Sequence, residues 1–388
     1  MKKIVIVTGP MIMGGIERAL IAMLKTIPKN QYDVTVLVTG TNGKLFYEIP
    51  DHVKVEPLFG TEKSSFEKVW KAIRKGRLIR AFKITFYTLL GRMTHSIRKQ
   101  ERYYALREPK RKMQYDLGIA YYGPTSLPVV FVMDWIKAKT KAVWIHVDVS
   151  KMEKRVRSFQ PIYEKFDKIF CVSEDAMQKF VGIFPDFKWK TEVFYSLINK
   201  NHLIQLANRD QGFTDKFDGF RILTVARLSA EKGQEMIPGI LMRLRAEGYN
   251  VRWYCVGDGD TRSMLEDLIK RNGLEEHFIL LGTKQNPYNY INQCDIYVQP
   301  SKHEGYCLSL AEARAFHKPI VTTDFVGARE QIDHGKNGFI VDYDEKAIYM
   351  AIKTLIINTP LRQALATNLK SESLDTTNEI NKLYKLLA

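Results

Sequence analysis

Cysteine is scarce, with 4 in 388 residues. Cys171, Cys255, Cys294 and Cys307 stand at least 13 positions apart. No CxxC pair exists, so a zinc site or dithiol redox motif is not expected, and the thiols are expected to be free and buried in a reducing compartment. Long apolar runs are also missing: none approaches the ~18–20 residues of a membrane-spanning helix. No GxGxxG follows the first apolar strand. The loop from Gly9 to Gly15, GPMIMGG, lacks that spacing, which argues against a nicotinamide-dependent dehydrogenase.

The N-terminus resembles a signal peptide in having Lys2 and Lys3 before an apolar stretch. Gly9-Pro10 and Gly14-Gly15 interrupt that stretch, and Glu17-Arg18 follow without a small-residue cleavage site. A buried strand, a glycine turn and a helix explain it better, and the protein is expected in the cytoplasm. With 45% apolar and 26% charged residues the chain is neither disordered nor collagen-like. At roughly 100–200 residues per domain, its length predicts two domains.

Charge is unevenly placed. The net charge is +16, from 59 Lys and Arg against 43 Asp and Glu, and all of the excess lies in residues 1–215. Segment 63–112 alone holds 16 basic and 3 acidic residues. Within it Phe66, Val69, Trp70 and Ile73 recur at helical spacing, and Ile79, Phe82, Phe86, Leu89 or Leu90, Met93 and Ile97 continue the stripe. Lys68, Lys71, Arg74, Lys75, Arg77, Arg80 and Lys83 fill much of the remaining surface. Such a basic amphipathic segment suits an anionic membrane surface, at ~1 kcal/mol per Lys or Arg near the lipid. The competing reading is a helix packing its stripe on its own domain with solvated lysines outside. No nucleic-acid-binding module accompanies the charge, so no nucleic acid partner is expected.

Short apolar runs alternate with helical patterns along the whole chain. Lys2–Thr8, Val34–Val38, Val53–Leu58, Asp116–Ala120, Lys141–His146 and Lys168–Val172 are expected strands, with helices over Ile16–Ile27, Thr125–Trp135 and Ser158–Phe166. After an Asn- and Asp-rich stretch the pattern restarts with Phe220–Val225, Arg252–Val256, Phe278–Leu281, Ile296–Gln299, Pro319–Thr322 and Phe339–Val341. Helices are expected near Gln234–Glu247, Thr261–Asn272, Pro287–Gln293, Leu308–Phe316, Glu345–Asn358 and, with Thr359 as N-cap, Pro360–Leu387. Alternation of this kind predicts α/β domains built on doubly wound parallel sheets. The expected divisions are an N-terminal domain over 1–200, a linker over 201–216, a second domain over 217–365, and a C-terminal helix over 366–388 packing back toward the first domain. Two such domains would face a cleft.

The most informative stretch is Ser301–Ala313, SKHEGYCLSLAEA. Glu304 follows a strand, a helix begins near Cys307 or Leu308, and Glu312 lies within that helix. Eight helical residues span ~12 Å, too far for the two carboxylates of a glycosidase, which stand roughly 5–9.5 Å apart. The amides of Gly305, Tyr306, Cys307 and Leu308 at a helix N-terminus suit a phosphate or diphosphate. The glutamates would then accept hydroxyl hydrogen bonds on either side of it.

Glu304 and Glu312, set in HEGYCLSLAEARAFHKPIVTT, resemble the E-x7-E signature of retaining glycosyltransferases of family 4. Gly14-Gly15-Ile16-Glu17-Arg18 resembles the family's first glycine loop. Val225-Ala226-Arg227-Leu228 with Glu231-Lys232-Gly233 resembles its basic pair, and Val256-Gly257-Asp258-Gly259 and Leu281-Gly282 resemble the next strand ends. The resemblance covers nearly the whole chain, least well at 60–115, and implies the GT-B architecture of two Rossmann-like domains.

It also implies roles. Arg227 and Lys232 neutralise the donor's diphosphate, one as a bidentate fork and the other as a mobile point charge. Glu312 holds ribose hydroxyls and Glu304 those of the transferred sugar. Gly14, Gly15 and Gly257 let backbone approach the donor. His146, ending the strand of Val143-Trp144-Ile145, matches a histidine facing the donor sugar, and Asp148 is placed to orient the acceptor hydroxyl. Ser173-Glu174 and the backbone near Lys284–Tyr290 are weaker candidates, the latter for the base. The expected partners are a nucleotide sugar, UDP-linked by preference, and a lipid-linked or oligosaccharide acceptor at the inner face of the membrane. No metal or cofactor is expected, since Asp258-Gly259-Asp260 occupies a glycine turn rather than a metal-binding loop. The alternatives are a nucleotide-sugar epimerase of the same fold and a non-enzymatic membrane- or nucleic-acid-binding protein.

Overall fold

Two parallel sheets organise the chain. The computed structural model describes residues 1–40, 43–58, 64–107 and 113–388. The chain divides into one unit of Met1–Ser196 with Asn378–Ala388 and a second of Leu197–Thr377.

In the first unit, seven strands are β1 (Lys2–Thr8), β2 (Tyr32–Val38), β3 (Lys54–Pro57), β4 (Gln114–Ala120), β5 (Lys137–Ile145), β6 (Lys168–Cys171) and β7 (Thr191–Val193). They pair in parallel in the order β3-β2-β1-β4-β5-β6-β7. The last five residues of β1 are all buried, as a continuous apolar run must be when helices cover both faces of a sheet. Helix α1 (Gly15–Thr26) follows β1.

Three helices leave this sheet between β3 and β4: α2 (Ser65–Arg74), α3 (Leu78–Met93) and α4 (Ile97–Leu106). Ser64 caps α2 and Ser96 caps α4, each accepting a backbone N–H of the first turn. Helix α4 packs on α5 (Leu127–Trp135), and Arg102 reaches Asp134 at 3.3 Å. The apolar periodicity that runs on to Ile97 is therefore cut into a hairpin and a return helix, and its ends, Lys63 and 108–112, lie outside the described residues.

The second unit carries β8 (Phe220–Val225), β9 (Val251–Val256), β10 (Phe278–Gly282), β11 (Ile296–Gln299), β12 (Ile320–Thr323) and β13 (Phe339–Val341). Their order is β10-β9-β8-β11-β12-β13, again all parallel. Side chains alternate between two cores. Ile222, Trp253, Ile296 and Val298 enter one, and Leu223, Tyr254 and Tyr297 enter the other, as period-2 geometry requires.

Several expected boundaries move. The stretch 201–216 is not a plain linker, because Lys200–Ala207 is helical, capped by Asn199, and buries Leu203 and Ala207. The C-terminal helix is broken: Thr359–Ser371 stops at an extended Glu372. The Thr376 amide then bonds the Ile198 carbonyl at 3.1 Å, and a separate helix, Ile380–Lys385, belongs to the first unit. Asn358 rather than Thr359 caps Thr359–Ser371, accepting from the Leu361 amide. Of the helix expected near Ser158–Phe166 only a single turn forms, Gln160–Tyr163, behind a separate short helix, Glu153–Arg157. All four cysteines are free and buried.

Candidate functional site

In doubly wound sheets, ligands gather at strand carboxyl ends where the strand order reverses. In the second unit that switch lies between β8 and β11. The loop after β8 carries Arg227 and Lys232, and the loop after β11 carries Glu304, so topology alone places these loops side by side.

Local chemistry locks them together. Gly233 has φ of +70°, and a Cβ there would sit 2.0 Å from the Pro300 carbonyl oxygen, so only glycine fits. The amides of Lys302 and His303 donate to the Glu231 carbonyl at 2.8 and 3.4 Å. As a result Lys232 Nζ lies 2.8 Å from Glu304 Oε2, both side chains largely buried. Burial disfavours the ammonium, but the charge and hydrogen bond of Glu304 outweigh it and raise the Lys232 pKa above its ordinary value. Lys232 is therefore a fixed cation at neutral pH.

Glu304 is held from its other side by residues that carry no motif. Its Oε1 accepts from Ser301 Oγ at 2.8 Å and from Gln299 Nε2 at 3.4 Å. Gln299 is fully buried; its Oε1 accepts from the Tyr297 hydroxyl at 2.8 Å and Ser309 Oγ at 3.3 Å. The Thr323 hydroxyl bonds the Ser301 carbonyl. The Arg227 guanidinium is exposed, and its carbonyl accepts from Gln234 Nε2 at 2.9 Å. Ser229 Oγ and Gln234 Oε1, in the same loop, are buried without a hydrogen-bond partner among the described residues.

The site helix is Leu308–Ala315, and Cys307 precedes it with φ of +65°, an uncommon conformation for a residue with a Cβ. The amides of Leu310 and Ala311 both bond the Cys307 carbonyl. Those of Leu308 and Ser309 come before the first intrahelical bond. Gly305 is buried, and the Tyr306 carbonyl accepts from Gln331 Nε2. Burial, then the Glu304 charge, push the Cys307 thiol well up, so it stays protonated and is not a nucleophile. Glu312 is buried rather than solvated, and Oε1 accepts from the Tyr288 hydroxyl at 3.0 Å. The glycines at 257 and 259 have a steric reason of their own: a Cβ would lie 1.8 Å from the Ala226 carbonyl oxygen or 2.0 Å from that of Leu228.

The first unit's candidates differ. Gly14 is the extended N-cap of α1, and beyond its own helix a Cβ on Gly15 would meet nothing of the described residues within 4 Å. His146 is buried, with Nε2 2.7 Å from the Tyr121 carbonyl oxygen. A carbonyl only accepts, so Nε2 carries the proton and Nδ1 is the acceptor. Burial, only partly opposed by that hydrogen bond, lowers its pKa to about 4, so the ring is neutral at pH 7. Asp148 is already committed. Its Oδ1 caps the following turn through Ser150 N and Oγ at 2.9 and 2.6 Å, and Oδ2 meets Lys179 Nζ at 3.2 Å. Burial opposes its charge, but those partners prevail and lower its pKa. Ser173 likewise caps the helix Glu174–Ile183 through the Ala176 amide.

Both units thus have Rossmann-like parallel sheets, the domain type of GT-B glycosyltransferases. Residues 210–372 match the family described as glycosyl transferases group 1, and the second unit carries that domain. HepE from Anabaena, solved with UDP and glucose, superposes with a TM-score of 0.71 at 19% identity over 99% of each chain. A point mutant of TarM from S. aureus, solved with UDP among its ligands, gives 0.72 at 14% identity over 100% of each chain. Among curated proteins, the chain is 30% identical over 214 residues to N-acetylgalactosamine-N,N'-diacetylbacillosaminyl-diphospho-undecaprenol 4-alpha-N-acetylgalactosaminyltransferase of Campylobacter jejuni. That match spans 55% of this chain and 57% of the relative. The amylovoran biosynthesis glycosyltransferase AmsD of Erwinia amylovora is 22% identical, over 98% of this chain and 97% of its own.

Proposed function

We propose that the protein is a retaining glycosyltransferase of family 4 that moves a hexose from a nucleoside-diphosphate sugar to a hydroxyl of a membrane-associated saccharide in surface polysaccharide synthesis. The observation that carries this reading is the Lys232–Glu304 pair at 2.8 Å, on the loop that also carries Arg227, where the second sheet's strand order reverses. A UDP-sugar is favoured, in keeping with the UDP in HepE and TarM. A lipid-linked acceptor is in keeping with the name of the Campylobacter relative.

Arg227 and one or both free donors of Lys232 bind the diphosphate, and Glu304, sharing the same ammonium, accepts from sugar hydroxyls. The Leu308 and Ser309 amides add donors aimed at negative charge. Glu312, oriented by Tyr288, takes ribose hydroxyls. As the bond from the anomeric carbon to phosphate breaks, the acceptor oxygen bonds that carbon from the same face, and its proton passes to the departing phosphate oxygen. The protein supplies charge stabilisation and positioning, not a nucleophile. Neutral His146 serves the donor sugar as a hydrogen-bonding group. The reading needs no metal, since Arg227, Lys232 and the helix amides would supply the positive charge at the diphosphate; excess EDTA is expected to leave the rate unchanged. The exposed basic helices within 63–112 hold the enzyme at an anionic membrane surface. No helix among the described residues is long and apolar enough to cross a membrane.

Calorimetry against UDP, GDP, ADP and NAD tests the reading. UDP binds, and K232A and E312Q each weaken it at least about tenfold. Equal UDP affinity in both variants would refute the site. An acceptor-independent epimer as sole product would make the protein an epimerase instead.

A further inference from the structure

Glutamine is a costly choice for the end of β11. Ile296, Tyr297, Val298 and Gln299 are all fully buried, and an apolar side chain at the last position would avoid taking an amide out of water. Here every atom of that amide is used. Oε1 accepts from the Tyr297 hydroxyl and from Ser309 Oγ. Nε2 donates to Ser301 Oγ at 2.8 Å and to Glu304 Oε1 at 3.4 Å. Ser301 in turn passes its own hydrogen to Glu304 Oε1 at 2.8 Å.

Charge sets the direction of this chain. A reversed amide would turn a carbonyl oxygen toward Glu304 Oε1 and draw the Ser301 hydrogen to itself, leaving that carboxylate oxygen with neither donor. Facing lone pairs in a buried site are expensive. Burial pushes the Tyr297 hydroxyl well above its ordinary pKa, so it stays protonated and able to donate. The Thr322 and Thr323 hydroxyls of β12 reach the Gln299 carbonyl at 3.3 and 3.4 Å and pin the strand end.

The consequence is a count of acceptor positions. A carboxylate offers about four, two on each oxygen. Ser301 and Gln299 take both on Oε1, and Lys232 takes one on Oε2. One position is left, on Oε2 beside the ammonium. The Glu304 side chain keeps 12% of its exposure, so it is not sealed from a ligand.

We propose that Gln299 and Ser301 determine donor specificity by leaving Glu304 a single acceptor position, so that it reads one hydroxyl of the transferred sugar and not a neighbouring pair. Both residues are buried and act through Glu304 as positioning residues. The inference rests on the role given to Glu304 in the function proposed above and narrows it. The sugar is then a hexose with one free hydroxyl facing Glu304. The adjacent carbon carries a hydrogen or an acylamino group with no penalty from this carboxylate.

Calorimetry of the full chain tests it. The probes are the tightest binder among UDP-glucose, UDP-galactose and their N-acetylamino forms, and its monodeoxy analogues, with each affinity expressed relative to UDP. In wild type, deoxygenation at one carbon costs at least about tenfold, and E304A abolishes that penalty while leaving those at other carbons. In S301A and Q299L, Oε1 gains a free position, and an E304-dependent penalty appears at a second, adjacent carbon. S301T keeps the hydroxyl and behaves as wild type. Penalties at two carbons that both vanish in E304A would overturn the proposal from the wild-type protein alone, even if neither other variant folds. A pattern unchanged in both S301A and Q299L would also overturn it. Penalties insensitive to E304A at every carbon would remove Glu304 from the sugar site. UDP affinity, weakened in K232A, keeps that failure distinct from failure of the diphosphate site.

Discussion

The two sheets reverse strand order in the same way, yet the loops at their switch points are built from different materials. In the second unit the space is filled by the protein's own charges: Lys232 is paired with Glu304, and Glu304 is braced by Gln299 and Ser301. In the first unit the corresponding loop after β1 offers an open glycine, and two strands beyond β1, outside the switch point, the end of β5 offers an uncharged, buried histidine. One switch point supplies charge and the other supplies room. The same topology thus carries two kinds of loop, one rich in charge and one open at its backbone.

The comparison is broken most severely at the ion pair. K232A or E304Q lowers kcat/KM for donor transfer by about 10²–10³, the range for loss of one preorganised electrostatic group. Because the two side chains share one hydrogen bond, the double variant K232A/E304Q falls well short of the product of the single losses. Steady-state kinetics of the three variants decide it. Fully multiplicative losses would mean that the pair is not one unit.

His146 tests the other side. Its folded pKa lies near 4, below the unfolded 6.5, so its contribution to stability is complete above pH 6.5 and is lost as pH falls from 6.5 through about 4. The full shift corresponds to about 3 kcal/mol. Denaturant unfolding of wild type and H146Q at pH 7 and pH 4.5 reads the difference, with the variant losing less on acidification. The neutral ring also predicts a pH–rate profile without an inflection near 6.5. An inflection there that vanishes in H146Q would make the imidazolium a participant.

Much of this was legible before any coordinates. Continuous apolar runs such as KKIVIVT and FRILTV identify strands covered on both faces, and E-x7-E with the basic pair picks out the two candidate loops that the structure joins through Lys232 and Glu304. The bracing residues were not legible. Gln299, Ser301, Tyr288 and Thr323 are single polar residues whose partners are set by strand pairing, which leaves no spacing to read along the chain. Ser173 and Asp148 illustrate the converse: a polar residue at a strand end tells nothing of whether a turn already uses it. For α3 the periodicity gives a stripe but not its direction, since a period of 3.6 is unchanged by rotating the helix about its axis. Only the small residues Ala81 and Gly91 on the opposite face hint at which side packs.

Glycine separates the two switch points more finely. At Gly233 both a left-handed φ and a backbone oxygen 2.0 Å from the missing Cβ demand glycine, so G233A costs about 2 kcal/mol and, by parting the Lys232 and Glu304 loops, lowers activity as well. Thermal unfolding and turnover fall together in this variant. Retained stability would mean that the loop relaxes freely.

At Gly15 nothing in the protein demands the residue. Its φ is not in the left-handed range, and beyond its own helix a methyl group would meet no atom of the described residues within 4 Å. As the first residue of α1, an alanine there removes unfolded-state freedom and leaves stability unchanged or higher by a few tenths of a kcal/mol. If the open space serves a donor diphosphate, G15A weakens donor binding several-fold while the melting temperature holds. That dissociation is what the two-material comparison requires, because a glycine kept for packing would change both quantities or neither. Matched melting curves and calorimetric titrations of wild type and G15A make the measurement. Unaltered donor affinity would show that the loop after β1 is an ordinary strand-to-helix turn and would leave the charged loops of the second unit to bind the diphosphate alone.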